Sequence, residues 1–221
     1  MISRSPFHLA LAVALLATLA AAPGASAAPK QTATEAIRSA NERLRELLGR
    51  KADSPAEKAR VRKQLAGELR ELMDIGFLAK RALVDHWDKM TPTQRAEVQT
   101  TLEAIIEKNY LAQLQGNLDY RIEYLGEQAK GGDALVRTVV HAQKNGRPTR
   151  ISIDYQLLPE GDHWRVFDVI TEDVSTLQNY RAQFNRIIAK DGVDGLIARM
   201  KARLNRDGPA PAGATTEKAE P

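Results

Sequence analysis

The hydrophobic pattern changes its period half-way along this chain of 221 residues, and no other feature restricts the fold as much. Between residues 33 and 114, apolar residues recur every three or four positions, which is typical of amphipathic helices. Between residues 118 and 171 they alternate, most regularly in RISIDYQLL (150–158), which is typical of strands with one buried face. Helices and strands that are segregated along the sequence predict an α+β fold.

Capping patterns mark the starts of the helices in the first half. SPAE (54–57) combines a capping serine, a proline in the first turn and a glutamate three positions on. TPTQ (91–94) repeats this logic, and Asp74 is placed to begin a short helix. After TPTQ, one helical stripe carries Val98, Leu102, Ile106, Tyr110 and Leu114.

The second half predicts a four-stranded antiparallel meander followed by closing helices. Turn sequences separate the alternating runs, and short turns between consecutive strands favour antiparallel neighbours. The predicted strands are LDYRIEYL (118–125), ALVRTVVHA (134–142), RISIDYQLL (150–158) and HWRVFDVIT (163–171). Two helices, 174–189 and 193–204, are predicted to follow, with a break at KDGVDG.

Both ends of the chain differ from its middle. Arg4, the apolar run 9–22 and ASA (25–27) predict a signal peptide over 1–27 that is cleaved before Ala28. Residues 206–221 are rich in Pro, Ala and Gly without an apolar period, which predicts a disordered tail. We therefore expect an exported protein with one α+β domain over 28–205.

Several functional classes lack support in the sequence. The net charge is +4, and loss of Arg4 with the signal peptide leaves +3; this mild excess, without a nucleic-acid fingerprint, does not indicate nucleic-acid binding. The chain has no cysteine, no HExxH, no GxSxG and no Gly-rich phosphate loop. His86, His141 and His163 lie far apart in sequence, so we predict no metal and no cofactor.

Two polar residues could carry chemistry. Asp168 is predicted between Val166 and Ile170 on one strand face, where an acid with a raised pKa can act as a general base. The interpretation we favour is structural: an acid that hydrogen-bonds either a helix end or an arginine at the edge of the sheet. Ser175, three positions before Gln178, is interpreted as a helix cap rather than a nucleophile.

The stripes on the strands and helices face inward, but periodicity does not show whether opposing side chains meet. They either fill a dry core or line a cavity, and the residues alone favour the dry core. On the sheet the stripe is Ile151, Ile153, Tyr155 and Leu157, extended by Val166 and Ile170 or by Phe167 and Val169. The facing helical stripes are Val98–Leu114 and Leu177, Tyr180 and Phe184.

Three stretches together resemble the MlaC family of periplasmic phospholipid-binding proteins, also called the toluene-tolerance auxiliary family. They are MDIGFLAKRALVDHWDKMTPTQRAEV (73–98), HWRVFDVITEDVSTLQNYRAQF (163–184) and GVDGLIARMKARL (192–204). The combination of Trp-x-x-x-Asp-Val with Asn-Tyr-Arg-x-Gln-Phe is specific, and the likeness spans roughly 35–204. The chain departs from the family at Glu172-Asp173 and at Val84, where glycine is common.

The resemblance implies a monomeric periplasmic carrier without catalytic activity. Such carriers shuttle phospholipid between an outer-membrane lipoprotein–porin complex and an inner-membrane ABC transporter with an MCE-domain ring, and so maintain outer-membrane lipid asymmetry. Phospholipid is then the cargo, held by its acyl chains in an apolar cavity between sheet and helices. Arg147 and Arg150 lie near predicted turns and are candidates for contact with its phosphate, but a solvated turn charge is the interpretation we favour for each. The lining residues it favours are Leu102, Ile106, Tyr110, Ile151, Ile153, Tyr155, Leu157, Val166, Val169, Leu177, Tyr180 and Phe184.

Two other functional classes stay open from the sequence. One is an enzyme of a cone-shaped α+β fold, with Asp168 as general base and Tyr155 as the group that stabilises an oxyanion. The other is a periplasmic chaperone or lipoprotein carrier, which would bind polypeptide in place of phospholipid.

Overall fold

The computed structural model describes residues 29–114, 120–144 and 146–206. Helices come first, a sheet follows and a long helix closes the chain, as the change of period predicts. The predicted signal peptide lies outside the described residues, as does nearly all of the predicted tail. The elements are α1 (Ala33–Leu48), α2 (Pro55–Leu72), α3 (Ile75–Ala82), a 3₁₀ turn (Trp87–Lys89), α4 (Pro92–Leu114), β1 (Tyr120–Lys130), β2 (Asp133–Lys144), β3 (Arg147–Glu160), β4 (His163–Thr171), β5 (Val174–Ser175) and α5 (Thr176–Asn205).

The predicted helix starts are confirmed by their capping hydrogen bonds. Ser54 Oγ accepts from the Glu57 N–H at 3.2 Å, and the Glu57 carboxylate accepts from the Ser54 N–H at 2.9 Å. Thr91 and Gln94 make the same reciprocal pair. Asp74 Oδ1 accepts from the Phe77 N–H at 2.7 Å. These bonds satisfy N–H groups that a helix cannot pair internally.

The sheet is an antiparallel meander in the order β1-β2-β3-β4-β5, so the prediction of four strands is wrong by one. β5 has only two residues and is too short to show an alternating pattern. It exists because the chain reverses at Glu172 and Asp173, whose φ angles are 48° and 64°. Thr171 thereby pairs with Val174, and Ile170 with Ser175.

Glu172 and Asp173 both have positive φ in this turn, a conformation that glycine adopts most easily. Hydrogen bonds to β3 stabilise the turn in the absence of glycine. Positive φ is unfavourable for residues that carry a Cβ, although Asp tolerates it better than most. The Glu172 carboxylate accepts a hydrogen bond from the Ser152 N–H, and the Glu172 N–H donates to the Ser152 carbonyl at 3.0 Å. These bonds hold the turn against β3.

A β-bulge in β4 changes which of its residues face the helices. Leu157 pairs with Val166 and Tyr155 with Val169, so one extra residue of β4 lies between the two pairs. Directly opposed residues share a sheet face, and Val166 and Val169 are therefore on the same face. The predicted pairing of Val166 with Ile170 is therefore wrong, because Ile170 is opposite Asp154 on the other face. Of the other predicted pair, Val169 shares the face of Val166, and Phe167 is the extra residue of the bulge and is buried in the core that also contains Val166.

The helices pack on the sheet face that carries Tyr155, Leu157 and Val166, which we call the inner face. A buried core joins it to α1, α3, α4 and α5. Met73 covers the free edge of β4 by a bridge to Val166. α5 is interrupted at Gly192, whose φ of 70° and ψ of −178° are not helical. This confirms the predicted break at KDGVDG.

Candidate functional site

The inner sheet face is sealed at one end and open at the other. Ala134, Val136 and Leu157 are 5%, 0% and 0% exposed, as expected for a dry core. Further along the same face, four aliphatic side chains are only half-buried, although they face the helical layer. They are Ile122, Val140, Ile151 and Ile153, which the strand register places side by side. The helical layer therefore covers this end of the sheet less completely than the other end, and we call this half-buried part of the inner face the recess.

The helices that face the sheet also carry half-buried apolar side chains. Ile106 and Tyr110 of α4 and Tyr180 of α5 are half-buried. Burial nevertheless raises the pKa of the Tyr110 and Tyr180 hydroxyls. Tyr180 packs its ring against that of Phe184, with 5.4 Å between the centroids.

Four tyrosines gather where two separate apolar clusters meet. The main core ends at Tyr155, and a smaller cluster of α1, α2 and α4 ends at Tyr110. Tyr120 and Tyr124 of β1 complete what we call the tyrosine cluster, and Asn41 of α1 donates to the Tyr124 hydroxyl at 3.3 Å. Burial, then the neighbouring phenols, raise the pKa of Tyr155 well above its usual range, while a hydrogen bond from Asn41 opposes the shift.

The structure divides the twelve predicted lining residues by depth. All face the interior, but only half keep accessible surface and could touch a ligand without rearrangement. The fully buried ones are Leu102, Tyr155, Leu157, Val166, Leu177 and Phe184. The half-buried ones are Ile106, Tyr110, Ile151, Ile153, Val169 and Tyr180.

Sequence reasoning missed part of the recess, and the two arginines that it named near turns lie on opposite faces of the sheet. Ile122 and Val140 share the face of Ile151, and their own alternation could have shown it. No sequence pattern predicted the contact of Asn41 with the tyrosine cluster, because a polar residue on an amphipathic helix is ordinarily exposed to solvent. Arg150 pairs with His141 one position away from Ile151 and so points away from the recess. Arg147, at the exposed tip of the β2–β3 hairpin, shares the face of Ile151.

Asp168 anchors the start of α5 instead of facing the recess. Its register partner is Gln156, on the opposite face from Tyr155 and Leu157, so the predicted phase with Val166 is wrong because of the bulge. The side chain is 2% exposed. Its Oδ2 accepts from the Ser175 hydroxyl at 2.6 Å, and its Oδ1 accepts from the Leu177 N–H at 2.9 Å. Burial raises the pKa of Asp168, and these hydrogen bonds limit the rise.

Ser175 is confirmed as the cap of α5, since its Oγ accepts from the Gln178 N–H at 3.0 Å. The three histidines within the described residues have separate partners: His86 contacts Asn185, His141 contacts Glu123 and His163 contacts Asp162. Within the described ranges, no three His, Cys, Asp or Glu side chains group as a metal site would require. The same ranges contain no helix that is long and apolar enough to cross a membrane.

The sequence of the domain matches a known family. Residues 38–202 fit the sequence model of the MlaC protein family, which is more than half of the chain. The chain belongs to the MlaC family. This confirms the resemblance seen in the three sequence stretches.

Two individual proteins are similar to this member of the MlaC family. The intermembrane phospholipid transport system binding protein MlaC of Haemophilus influenzae is 22% identical over 143 residues, which are 64% of this chain and 67% of that protein. The phospholipid-binding protein of Ralstonia solanacearum, solved in complex with a phospholipid, superimposes with a TM-score of 0.67 at 21% identity. That match covers 79% of this chain and 97% of the other.

Proposed function

We propose that this protein is a periplasmic phospholipid carrier whose recess shields the acyl chains of one lipid from water. The observation that carries the proposal is the row of half-buried aliphatic side chains on the inner sheet face, together with the half-buried Ile106, Tyr110 and Tyr180 of the helices. In a dry core, these residues would be sealed like Leu157. The phospholipid named for both relatives supports the choice of ligand.

The energetics of lipid transfer demand such a recess. Removing about thirty methylenes from a membrane into water costs roughly 24 kcal/mol, at about 0.8 kcal/mol per CH₂. A free monomer is therefore too rare to sustain transport. A carrier must replace most of that lost apolar environment with its own side chains and keep polar groups at the mouth.

The same proposal covers the cellular role and the domain limits. The mature domain comprises residues 28–205 after removal of a signal peptide, and it functions as a monomer in the periplasm. It accepts or delivers lipid at an outer-membrane lipoprotein–porin complex and at an inner-membrane ABC transporter with an MCE-domain ring, and this exchange maintains outer-membrane lipid asymmetry. The transport system named for the Haemophilus influenzae protein supports this assignment.

The geometry of Asp168 disfavours the enzyme alternative. A general base needs a free lone pair directed at substrate. Both Asp168 oxygens accept hydrogen bonds from the start of α5, and the residue lies off the inner face. Tyr155 does lie on the inner face, so the proposed pair does not share one site.

Lipid transfer between vesicles tests the proposal. We expect catalytic amounts of the mature protein to speed movement of a fluorescent phospholipid from donor to acceptor vesicles at least about tenfold over the spontaneous rate, because a carrier removes most of the desorption cost. The Asp168→Asn variant should retain this transfer when folded. Transfer no faster than the spontaneous rate would contradict the carrier function, and loss of transfer in folded Asp168→Asn would revive a chemical role.

A further inference from the structure

Two arginines of α1 stand over the tyrosine cluster. Positions 38, 41 and 45 are spaced by three and four residues and so lie on one helical face. The Arg38 guanidinium carbon is 4.2 Å from the centroid of the Tyr124 ring, and that of Arg45 is 4.8 Å from the Tyr120 ring. We call Arg38 and Arg45 the arginine rim.

The rim borders the recess. Tyr120 and Tyr124 pair with Ala142 and Thr138 of β2, and Ile122 between them pairs with Val140. All three β1 residues therefore share the inner face, and the two arginines cover its β1 edge. Both arginine side chains are exposed, so the rim is the point where an apolar surface meets water.

The hydrogen-bonding edges of the rim guanidiniums are largely unused. A cation–π contact does not require the N–H donors, and each guanidinium carries five of them. Arg45 donates once, to the Tyr120 carbonyl at 2.8 Å. In the portion of the chain that the structure describes, neither arginine has a carboxylate oxygen within 4.0 Å, whereas the neighbouring Arg43 is paired with Glu68 and Arg50 with Glu46.

Nearby acids do not complete the rim. The Glu35 carboxylate, three residues before Arg38, accepts hydrogen bonds from the backbone and the hydroxyl of Thr32 in the cap of α1. The pKa of Glu35 is lowered mainly by those bonds, and also by the charge of Arg38. Glu42 lies between the two arginines in sequence and, like them, acts on the Tyr124 hydroxyl. Among the described residues, Glu42 forms no salt bridge within 4.0 Å with either arginine. Two fixed cations therefore stand beside an apolar recess with donors available to an incoming anion.

We propose that the arginine rim binds the phosphate of the lipid whose acyl chains occupy the recess. This inference rests on the proposed carrier function and adds the chemistry by which the headgroup is held. Guanidinium donors match phosphate oxygens in charge and in planar, paired geometry. Because every glycerophospholipid carries this phosphate, the rim selects phospholipid over uncharged diacylglycerol and leaves the remainder of the headgroup to solvent.

A competition between two lipids with identical acyl chains tests the rim. Delipidated protein is incubated with vesicles of dioleoyl phosphatidylethanolamine and dioleoyl phosphatidylglycerol that also contain dioleoylglycerol. Native mass spectrometry then identifies the bound lipids by mass and gives their relative amounts. We expect wild-type protein to favour phospholipid, relative to vesicle content, by about tenfold or more. The Arg38→Gln/Arg45→Gln variant should lose this preference while still taking up dioleoylglycerol.

The matched control is Arg60→Gln/Arg62→Gln, which removes the same charge from two exposed arginines of α2. It should keep the wild-type preference. If the double rim variant does not fold, as judged by thermal unfolding, Arg38→Gln alone should lower the preference. An unchanged preference in a folded rim variant overturns the proposal.

The remaining outcomes separate this inference from the function on which it rests. Wild-type protein that takes up both lipids without preference is a carrier, but the rim proposal fails. Wild-type protein that takes up neither lipid overturns the carrier function and the rim proposal with it. If inorganic phosphate titrated into delipidated protein binds at Arg38 and Arg45 while lipid preference is absent, the rim is a free-anion site and the proposal is likewise overturned.

Discussion

Replacing Ile153 with aspartate should abolish lipid loading. Ile153 lies half-buried on the inner face between Ile151 and Tyr155, where acyl chains would cover it. A carboxylate sealed beneath an acyl chain without a partner costs several kcal/mol, and each 1.4 kcal/mol is a factor of ten in affinity. We expect the purified variant to retain at least about tenfold less phospholipid than wild type, measured by solvent extraction against protein concentration.

The control for this substitution is Leu125→Asp. Leu125 is on β1 and is 57% exposed, so the same new charge stays in water and lipid content should remain at the wild-type level. Ile153→Trp adds a second check, because it keeps the face apolar while filling space. Wild-type lipid content in a folded Ile153→Asp variant would show that the acyl chains lie elsewhere.

Removing the Asp168 carboxylate should destabilise the fold strongly, because this buried group holds the start of α5. Asp168→Ala leaves the Ser175 hydroxyl without its acceptor and the buried Leu177 N–H unpaired. Losing a buried acceptor and a helix-end bond together costs roughly 2–4 kcal/mol. We expect a loss of that size in the free energy of unfolding, measured by urea denaturation monitored by circular dichroism.

The isosteric Asp168→Asn variant separates charge from hydrogen bonding. The amide oxygen of the introduced asparagine still accepts a hydrogen bond from the Leu177 N–H. The free energy of unfolding should therefore fall less in Asp168→Asn than in Asp168→Ala. Burial raises the pKa of Asp168 in the folded protein, so the native state binds its proton more tightly than the unfolded state does. The stability of wild type relative to Asp168→Asn should therefore be greatest at acid pH and decline as pH rises through that raised pKa. A flat or opposite trend would contradict the buried, helix-anchoring role.

The sequence was informative wherever a local signal decided the structure. Ser54, Asp74 and Thr91 start their helices as predicted, because capping depends only on residues within one turn. The turn at Gly161 and Asp162 and the break at Gly192 were also predictable from local residue types. The strand alternation in 150–158 correctly placed Ile151, Ile153, Tyr155 and Leu157 on one face.

The features that the sequence did not predict depend on contacts between residues that are far apart along the chain. The bulge in β4 is set by pairing with β3, and it moved Asp168 off the inner face while joining Val169 to Val166. β5 depends on the tertiary bond between Glu172 and Ser152. The depth of the recess was also hidden, because Leu157 and Ile151 have the same periodicity, yet one is sealed and the other is not.

Native mass spectrometry of the mature protein, purified without detergent, tests the carrier account most directly. The account predicts a one-to-one adduct with the mass of a diacyl phospholipid, which solvent extraction should release. A folded protein that carries no lipid and takes none from vesicles would contradict it, because the half-buried aliphatic row on the inner face would then have no ligand.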